Sequence, residues 1–257
     1  MLLVDVTDRV ATLTLNRPER RNALNTALTT ALWDAVQEAG DDDGVDVVVI
    51  TGSDPAFCAG VDLTEMAGEV PASAAPVPRR GPDGLFRFLP VITKPVIGAV
   101  NGPCVTGGLE LALQCTFLIA SDRARFADTH GRVGVMPGGG MTVLLPQAVG
   151  LRRAIEMSLT GNHVPAAEAL QIGLVNHVVP HDELLPFTRR LAADLVSCDQ
   201  TALRRLLDQY RRVGAAGSLA EAHALEGLMA ETWRLDPAAV ASRRQQLTAR
   251  GREQGLR

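Results

Sequence analysis

No apolar run in this sequence approaches the ~20 residues that a membrane-crossing helix requires. The run from Val45 to Ile50 is already broken by Asp46. Basic charge is not in surplus either. Twenty-five Lys and Arg face 29 Asp and Glu, a formal net charge of -4, and aromatics make up only 4% of the chain. A general nucleic-acid binder presents a basic, often aromatic-rich face, so that class is set aside. Cysteines are few. Cys58, Cys104, Cys115 and Cys198 have neither metal-ligand spacing nor the density of a disulfide-stapled domain, and read as reduced thiols in or near a core. Cys58 and Cys104 fall near glycine-rich turns, but neither has a histidine or basic neighbour in sequence to activate a nucleophilic thiol. His163, His177, His181 and His223 lack ligand spacing, so no metal is expected. No G-x-G-x-x-G fingerprint or phosphate-loop Lys-Ser/Thr pair is present, which argues against a nucleotide-cofactor enzyme. The first residues have no basic region followed by an apolar stretch, so a cytoplasmic location is expected.

What is present is a chain of 257 residues, 46% of them hydrophobic, long enough to bury a sizeable core. Leu2–Val6 and Val10–Leu15 alternate faces across Thr7-Asp8-Arg9 and predict a β-hairpin. Asn16 to Asn22 predicts a loop, since proline breaks a ladder; its three arginines, Arg17, Arg20 and Arg21, suit either an anionic ligand or a solvated turn. Helical spacing from Asn25 to Ala39 is followed by the β-branched run ending at Ile50, a βαβ pattern. A stretch rich in Pro, Ala and Gly from Gly68 to Gly84 predicts a surface connection, and Phe86 to Ile92 a short helix. Strands are expected at Pro95–Val100, Thr116–Ala120 and Leu174–Val179, and helices at Met141–Val149 and Pro165–Ile172. Beyond Asp182 only helices are expected, the last at Pro237–Ala249. The division is an α/β body over residues 1–195 and a helical region over 196–257.

The stretch from Asn101 to Glu110 carries the chemistry. A buried strand runs through Asn101-Gly-Pro-Cys-Val-Thr-Gly107-Gly108 into a helix, with Glu110 in its first turn. The first amides of a helix lack partners within it and carry the positive end of its dipole, so glycines there let a developing negative charge approach bare N–H groups. An acidic residue in a first turn also serves simply as a cap, and local sequence leaves both readings open. A second small-residue turn, Phe57-Cys-Ala-Gly-Val-Asp62, follows another strand.

With both turns in view the sequence resembles the enoyl-CoA hydratase/isomerase (crotonase) superfamily. The resemblance runs from Asn16-Arg-Pro and Asn22-Ala-Leu24 through Phe57–Asp62, Lys94–Ile97, Asn101-Gly102, Gly107-Gly108 and Glu110-Leu-Ala112. It continues to Phe126, Gly134, Pro137-Gly138, Gly161, Ala166–Ala169 and Gly173–Asn176, nearly the whole chain. It implies an α/β fold, a spiral of ββα units with a C-terminal helical region that builds homotrimers or dimers of trimers, and an acyl-CoA thioester substrate with no separate cofactor. The implied oxyanion donors are the amides of Ala59 and Gly107, and the implied acid/base is Glu110. The resemblance further implies substrate contacts at Arg21, Ala23, Leu24, Gly60, Val61 and Asp62, with Arg17, Arg20, Arg204 or Arg205 available to coenzyme A phosphates. Two preorganised amides each lower the barrier to an oxyanion by about 3–4 kcal/mol.

The chain departs from the hydratase pattern at one informative place. Where the second glutamate stands, four residues after Phe126, this sequence has His130. Imidazole titrates near neutrality and can serve as acid or base, or simply pack and orient, and Asp128 is a further candidate. The expected activity is therefore a hydro-lyase acting on a 2-enoyl-CoA or 3-hydroxyacyl-CoA. The alternatives are another crotonase reaction (isomerisation, C–C cleavage or thioester hydrolysis) and a noncatalytic acyl-CoA-binding protein.

Overall fold

A computed structural model describes residues 1–69, 79–81, 84–234, 236–238, 240–241, 243–244, 248, 250 and 252. Most of the expected surface connection before Gly84, and much of the expected helix at Pro237–Ala249, lie outside the described residues. The chain divides into two compact units, Met1–Arg204 and Arg205–Arg257.

In the first unit, β1 (Leu2–Thr7) and β2 (Val10–Leu15) form the expected antiparallel hairpin. Helix α1 (Thr26–Asp41) starts where Asn25 accepts a hydrogen bond from the Leu28 amide, satisfying one of the four orphan donors of a helix start. It leads into β3 (Val47–Gly52), which pairs parallel with β2. Every residue of β3 is buried, because the strand is covered on both sides. Val48 and Ile50 face a core containing Leu28, Leu32 and Val36 of α1. Val47 and Val49 face a second cluster containing Leu184 and Ala192. Burial of such a side chain is worth about 1.5–3 kcal/mol, so a charge at Val48 or Val49 would break this layer.

From here the chain winds in a repeated pattern. One strand joins the large sheet, a short strand joins a second sheet, and a helix follows. The first turn of the spiral has β3, then Cys58 bridging Cys104, then α2 (Leu63–Met66). Next come the two-residue strands β4 (Arg79–Arg80) and β5 (Phe86–Arg87), paired antiparallel. The second turn has β6 (Val96–Val100), β7 (Pro103–Val105) and α3 (Gly107–Leu113). The third has β8 (Phe117–Ser121), β9 (Arg125–Ala127) and α4 (His130–Val133). Helices α5 (Met141–Val149) and α6 (Leu151–Thr160) follow. They lead to β10 (Val164–Pro165), α7 (Ala166–Gln171), β11 (His177–Val179) and α8 (Leu184–Val196). The large sheet has the order β1-β2-β3-β6-β8-β11, parallel from β2 onward, and the second has the order β10-β9-β7. The architecture is α/β, as expected.

One expectation is corrected, and one element is added. Phe86 to Ile92 is not a helix: Phe86–Arg87 is a strand, and the amides of Phe88 and Leu89 are taken by the side chain of Gln114 instead of a helical ladder. Pro90, which has no N–H to give, closes off the segment. Helix α6 was not foreseen; it is bounded by Gly150 and by Gly161 at φ 61°, a left-handed C-cap that favours glycine.

Helix α9 (Gln200–Gly214) begins in the first unit and ends in the second, which also contains α10 (Leu219–Glu231), capped by Ser218. No helix among the described residues is long and apolar enough to cross a membrane.

Candidate active site

The spiral stacks three equivalent corners, each following a second-sheet strand, and together they form the site. The first is Ala59-Gly60-Val61 after Cys58, the second Thr106-Gly107 after β7, and the third Asp128-Thr129-His130 after β9. Their order in space comes from the pairing of Cys58 with Cys104, and of Cys104 in turn with Phe126.

The structure corrects one of the two expected oxyanion donors. The Ala59 amide donates to the carbonyl of Arg21 at 3.0 Å and is not free. Two residues on, past Gly60 at φ 101°, the Val61 amide has no acceptor among the described residues. Nor does the Gly107 amide, which as the first residue of α3 has no partner within the helix. The two residues lie against each other: a Cβ added at Gly107 would lie 3.2 Å from the Val61 nitrogen and 3.2 Å from its Cγ2. Glycine at 107 thus keeps the space between the two donors open. Immediately before it, Thr106 is held at φ 52° and ψ -113°, and its hydroxyl meets that of Thr129 at 2.5 Å. For a β-branched residue this backbone region is strained, and it sets the direction of the Gly107 amide.

Glu110 is buried, and one carboxylate oxygen is fully engaged. Oε1 accepts from the amides of Gly139 at 2.7 Å and Met141 at 3.2 Å, at the entry to α5. Oε2 stands 3.6 Å from Nε2 of His130, too long for a hydrogen bond and close enough to share a reacting molecule. Burial pushes the Glu110 pKa up, against the opposing pull of His130 and the two amides, while Asp128 adds to the rise.

His130 is anchored from behind. Its Nδ1 lies 2.6 Å from Oδ1 of Asp128, and its backbone amide donates to the same oxygen at 3.1 Å. Burial raises the Asp128 pKa, but hydrogen bonds from His130 and Ser158 outweigh it and the net is a lowered value. A carboxylate on Nδ1 keeps that nitrogen protonated and leaves Nε2 to face Glu110. Sequence left the role of Asp128 open; the tight corner after β9 brings it onto the histidine two residues away.

These groups line a cavity of about 190 Å³. Thr106, Glu110, Thr129 and His130 supply its polar part; Leu63, Met66, Phe88, Val133, Val135 and Met136 supply an apolar wall. Of the expected substrate contacts, Ala59 and Val61 line this cavity, and Gly107 lies against Val61. The structure does not bring Arg21, Ala23, Leu24, Gly60 or Asp62 into its lining. Leu24 is a core residue whose amide and carbonyl are spent on Gly60 and Asp62. The Ala23 carbonyl accepts from Arg17, and Asp62 pairs with Arg17 at 3.0 Å while capping α2. Arg204 is bound to Asp46, and Arg205 to Thr232. Arg20 and Arg21 are exposed and have no side-chain partner among the described residues.

The remaining candidates sort by burial and partner. Burial of the sulfur pushes the Cys58 thiol and that of the half-buried Cys115 up to about 12, and Cys104 is raised as well, so none is an activated nucleophile. His181 bridges Asp54 and Ser121 and ties the loop after β3 to the C-terminal end of β8, a structural task. Gly139, Phe88 and Gln114 escaped sequence analysis; the only signal was the glycine run before α5, which shows no link to Glu110 in one dimension.

A model of the enoyl-CoA hydratase/isomerase family matches residues 5–234. The 2,3-dehydroadipyl-CoA hydratase of Escherichia coli (strain K12) is 38% identical over 234 residues, covering 90% of this chain and 91% of that protein. The crotonyl-CoA hydratase of Syntrophomonas wolfei is 38% identical over 204 residues, 79% of this chain and 78% of that protein. The crystal structure of an enoyl-CoA hydratase from Mycobacterium tuberculosis H37Rv superposes with a TM-score of 0.76 at 50% identity, covering 88% of this chain and 97% of that one.

Proposed function

The chain belongs to the enoyl-CoA hydratase/isomerase family, and on that premise we propose that it is a hydro-lyase that adds water to a 2-enoyl-CoA thioester and removes it from the 3-hydroxyacyl-CoA. The observation that carries this reading is the approach of Glu110 Oε2 to His130 Nε2, 3.6 Å, in a cavity lined also by Val61, whose amide, like that of the adjacent Gly107, has no acceptor among the described residues.

Addition of water to C3 pushes charge onto the thioester oxygen, and the Val61 and Gly107 amides receive it. Glu110, as carboxylate, takes the proton of the attacking water through Oε2, the oxygen that its amide bonds leave free. The enolate then collects a proton at C2 from Nε2 of a protonated His130, whose charge Asp128 stabilises. Return of the proton from Glu110 to His130 restores the starting state, so atoms and charge balance over a cycle. Dehydration runs the same steps backward.

No metal or separate cofactor enters this scheme; coenzyme A arrives as part of the substrate, and turnover is expected to be insensitive to a chelator. Arg20 and Arg21, exposed and unpaired among the described residues, are assigned to the coenzyme A phosphates. If Arg21→Ala left the dissociation constant of the thioester unchanged, that assignment would be dropped. Exposed apolar side chains on the second unit, Leu206, Tyr210, Leu219 and Leu228, support assembly as a homotrimer or dimer of trimers, to be checked by light scattering. The four free cysteines support a reducing compartment such as the cytoplasm.

The decisive experiment follows the enoyl-thioester absorbance of crotonyl-CoA and longer enoyl-CoA esters. Turnover that Glu110→Gln abolishes is expected. No turnover by purified protein, together with no effect of Glu110→Gln on any acyl-CoA reaction, would sink the proposal. The Asp128–His130 pair favours one second reading, a different family reaction in which imidazole acts as base, and mass spectrometry of an acyl-CoA panel separates the two.

A further inference from the structure

Gln114 lies one helical turn past Glu110, at the C-terminal end of α3, and its side-chain amide is engaged through both its oxygen and its nitrogen. Oε1 accepts from the amides of Phe88 at 2.9 Å and Leu89 at 3.0 Å. Nε2 donates to the carbonyl of Gly139 at 2.7 Å. Gly139 in turn donates its own amide to Glu110. There is no slack around this glycine: a Cβ there would lie 2.5 Å from Cε2 of Phe88 and 3.1 Å from Cδ of Glu110. The acid/base carboxylate, the aromatic wall of the cavity and the loop entering α5 therefore meet at Gly139, and one side chain ties them together.

We infer that Gln114 is a positioning residue for the reaction, holding the Gly139 peptide so that its amide stays on Glu110 while the Phe88 ring stays in the wall of the acyl cavity. The inference rests on the acid/base role proposed for Glu110. An amide carries both a donor and an acceptor on one rigid group, and the site uses both. A side chain lacking them leaves two amides and a carbonyl to find other partners, and the loop relaxes away from Glu110. Loss of the Gly139 and Met141 amides removes bonds that favour the charged carboxylate, so the acid limb assigned to Glu110 moves to higher pH. The charged or titratable groups facing Glu110 are His130 and, behind it, Asp128; neither touches Gln114, so a neutral replacement leaves them in place.

The test compares Gln114→Met and Gln114→Asn with the unaltered protein in crotonyl-CoA hydration, with Glu110→Gln alongside. Both replacements are neutral and add no charge near Glu110. The expected result is a kcat lower by about tenfold, a KM raised a few-fold by movement of Phe88, and a Glu110 limb raised by about one pH unit. Hydrogen exchange at the Gly139 and Met141 amides should quicken in the variants and be slow in the unaltered protein. Unchanged kcat, KM and pH limb, with at most a lower melting temperature, would overturn the inference while an inactive Glu110→Gln left the hydratase reading standing. An active Glu110→Gln would remove that reading and this inference together. Should neither replacement fold, fast exchange of these two amides in the unaltered protein is the overturning result.

Discussion

Asp128 holds His130 by a double grip, accepting from both its ring Nδ1 at 2.6 Å and its backbone amide at 3.1 Å. Both bonds end on the same carboxylate oxygen, so the ring is fixed in direction as well as in tautomer. The second acid/base position thus holds a carboxylate-backed imidazole in place of a simple carboxylic acid.

Asp128→Asn keeps the shape of this arrangement and spoils its chemistry. An amide does not stabilise the imidazolium and lets the ring adopt the other tautomer. Because a positioned acid or base contributes about 10²–10⁴ in rate, kcat should fall by about a hundredfold or more with KM nearly unchanged. Steady-state kinetics on crotonyl-CoA provide the check; a kcat within twofold of the unaltered protein would remove His130 from the mechanism.

Glu110→Gln should separate activity from stability. The buried Glu110 carboxyl has a raised pKa in the folded state, so it favours folding below its unfolded pKa, and that contribution is lost as pH rises through the folded pKa. Glutamine carries no charge to bury and still offers an oxygen to Gly139 and Met141. Its melting temperature at pH 8 should equal or exceed that of the unaltered protein, while kcat drops by about 10²–10⁴. A large loss of stability at pH 8 would contradict this account.

Asp128 has the opposite sign. Its lowered pKa contributes stability above the unfolded value, lost as pH falls through the folded one. Melting temperature followed downward from pH 7 into the carboxylate range should fall less steeply in Asp128→Asn than in the unaltered chain.

Gly107→Ala places a methyl 3.2 Å from both the Val61 nitrogen and its Cγ2, in the space assigned to the thioester oxygen. Loss of one oxyanion donor costs about 10²–10³ in kcat, and a decrease of that order is expected. Ala59→Ser, by contrast, leaves the hydrogen bond from the backbone amide of residue 59 to the Arg21 carbonyl intact and should change kcat little.

Thiol chemistry offers a simple check on burial. Iodoacetamide at pH 8 should label Cys198, which is exposed, and spare Cys58, Cys104 and Cys115 without loss of activity. Peptide mapping reads the outcome, and labelling of Cys58 in the folded protein would contradict it.

The sequence by itself determined the α/β alternation, the hairpin, both glycine turns and the presence of Glu110 in a first helical turn, because each is a local property: period, β-branching, or room for backbone at a glycine. It also marked His130 as a departure. Only the tertiary structure decided which amides are free. Successive N–H groups in one turn point in different directions, and whether Ala59 or Val61 is spent depends on the carbonyl of Arg21, distant in sequence. The helix expected at Phe86 to Ile92 failed for the same reason, since its amides are satisfied by Gln114 from another element. Likewise Asp128 acquires its task, and Gly139 its place beside Glu110, from the stacking of successive ββα corners, which sets partners across the spiral that no spacing along the chain records.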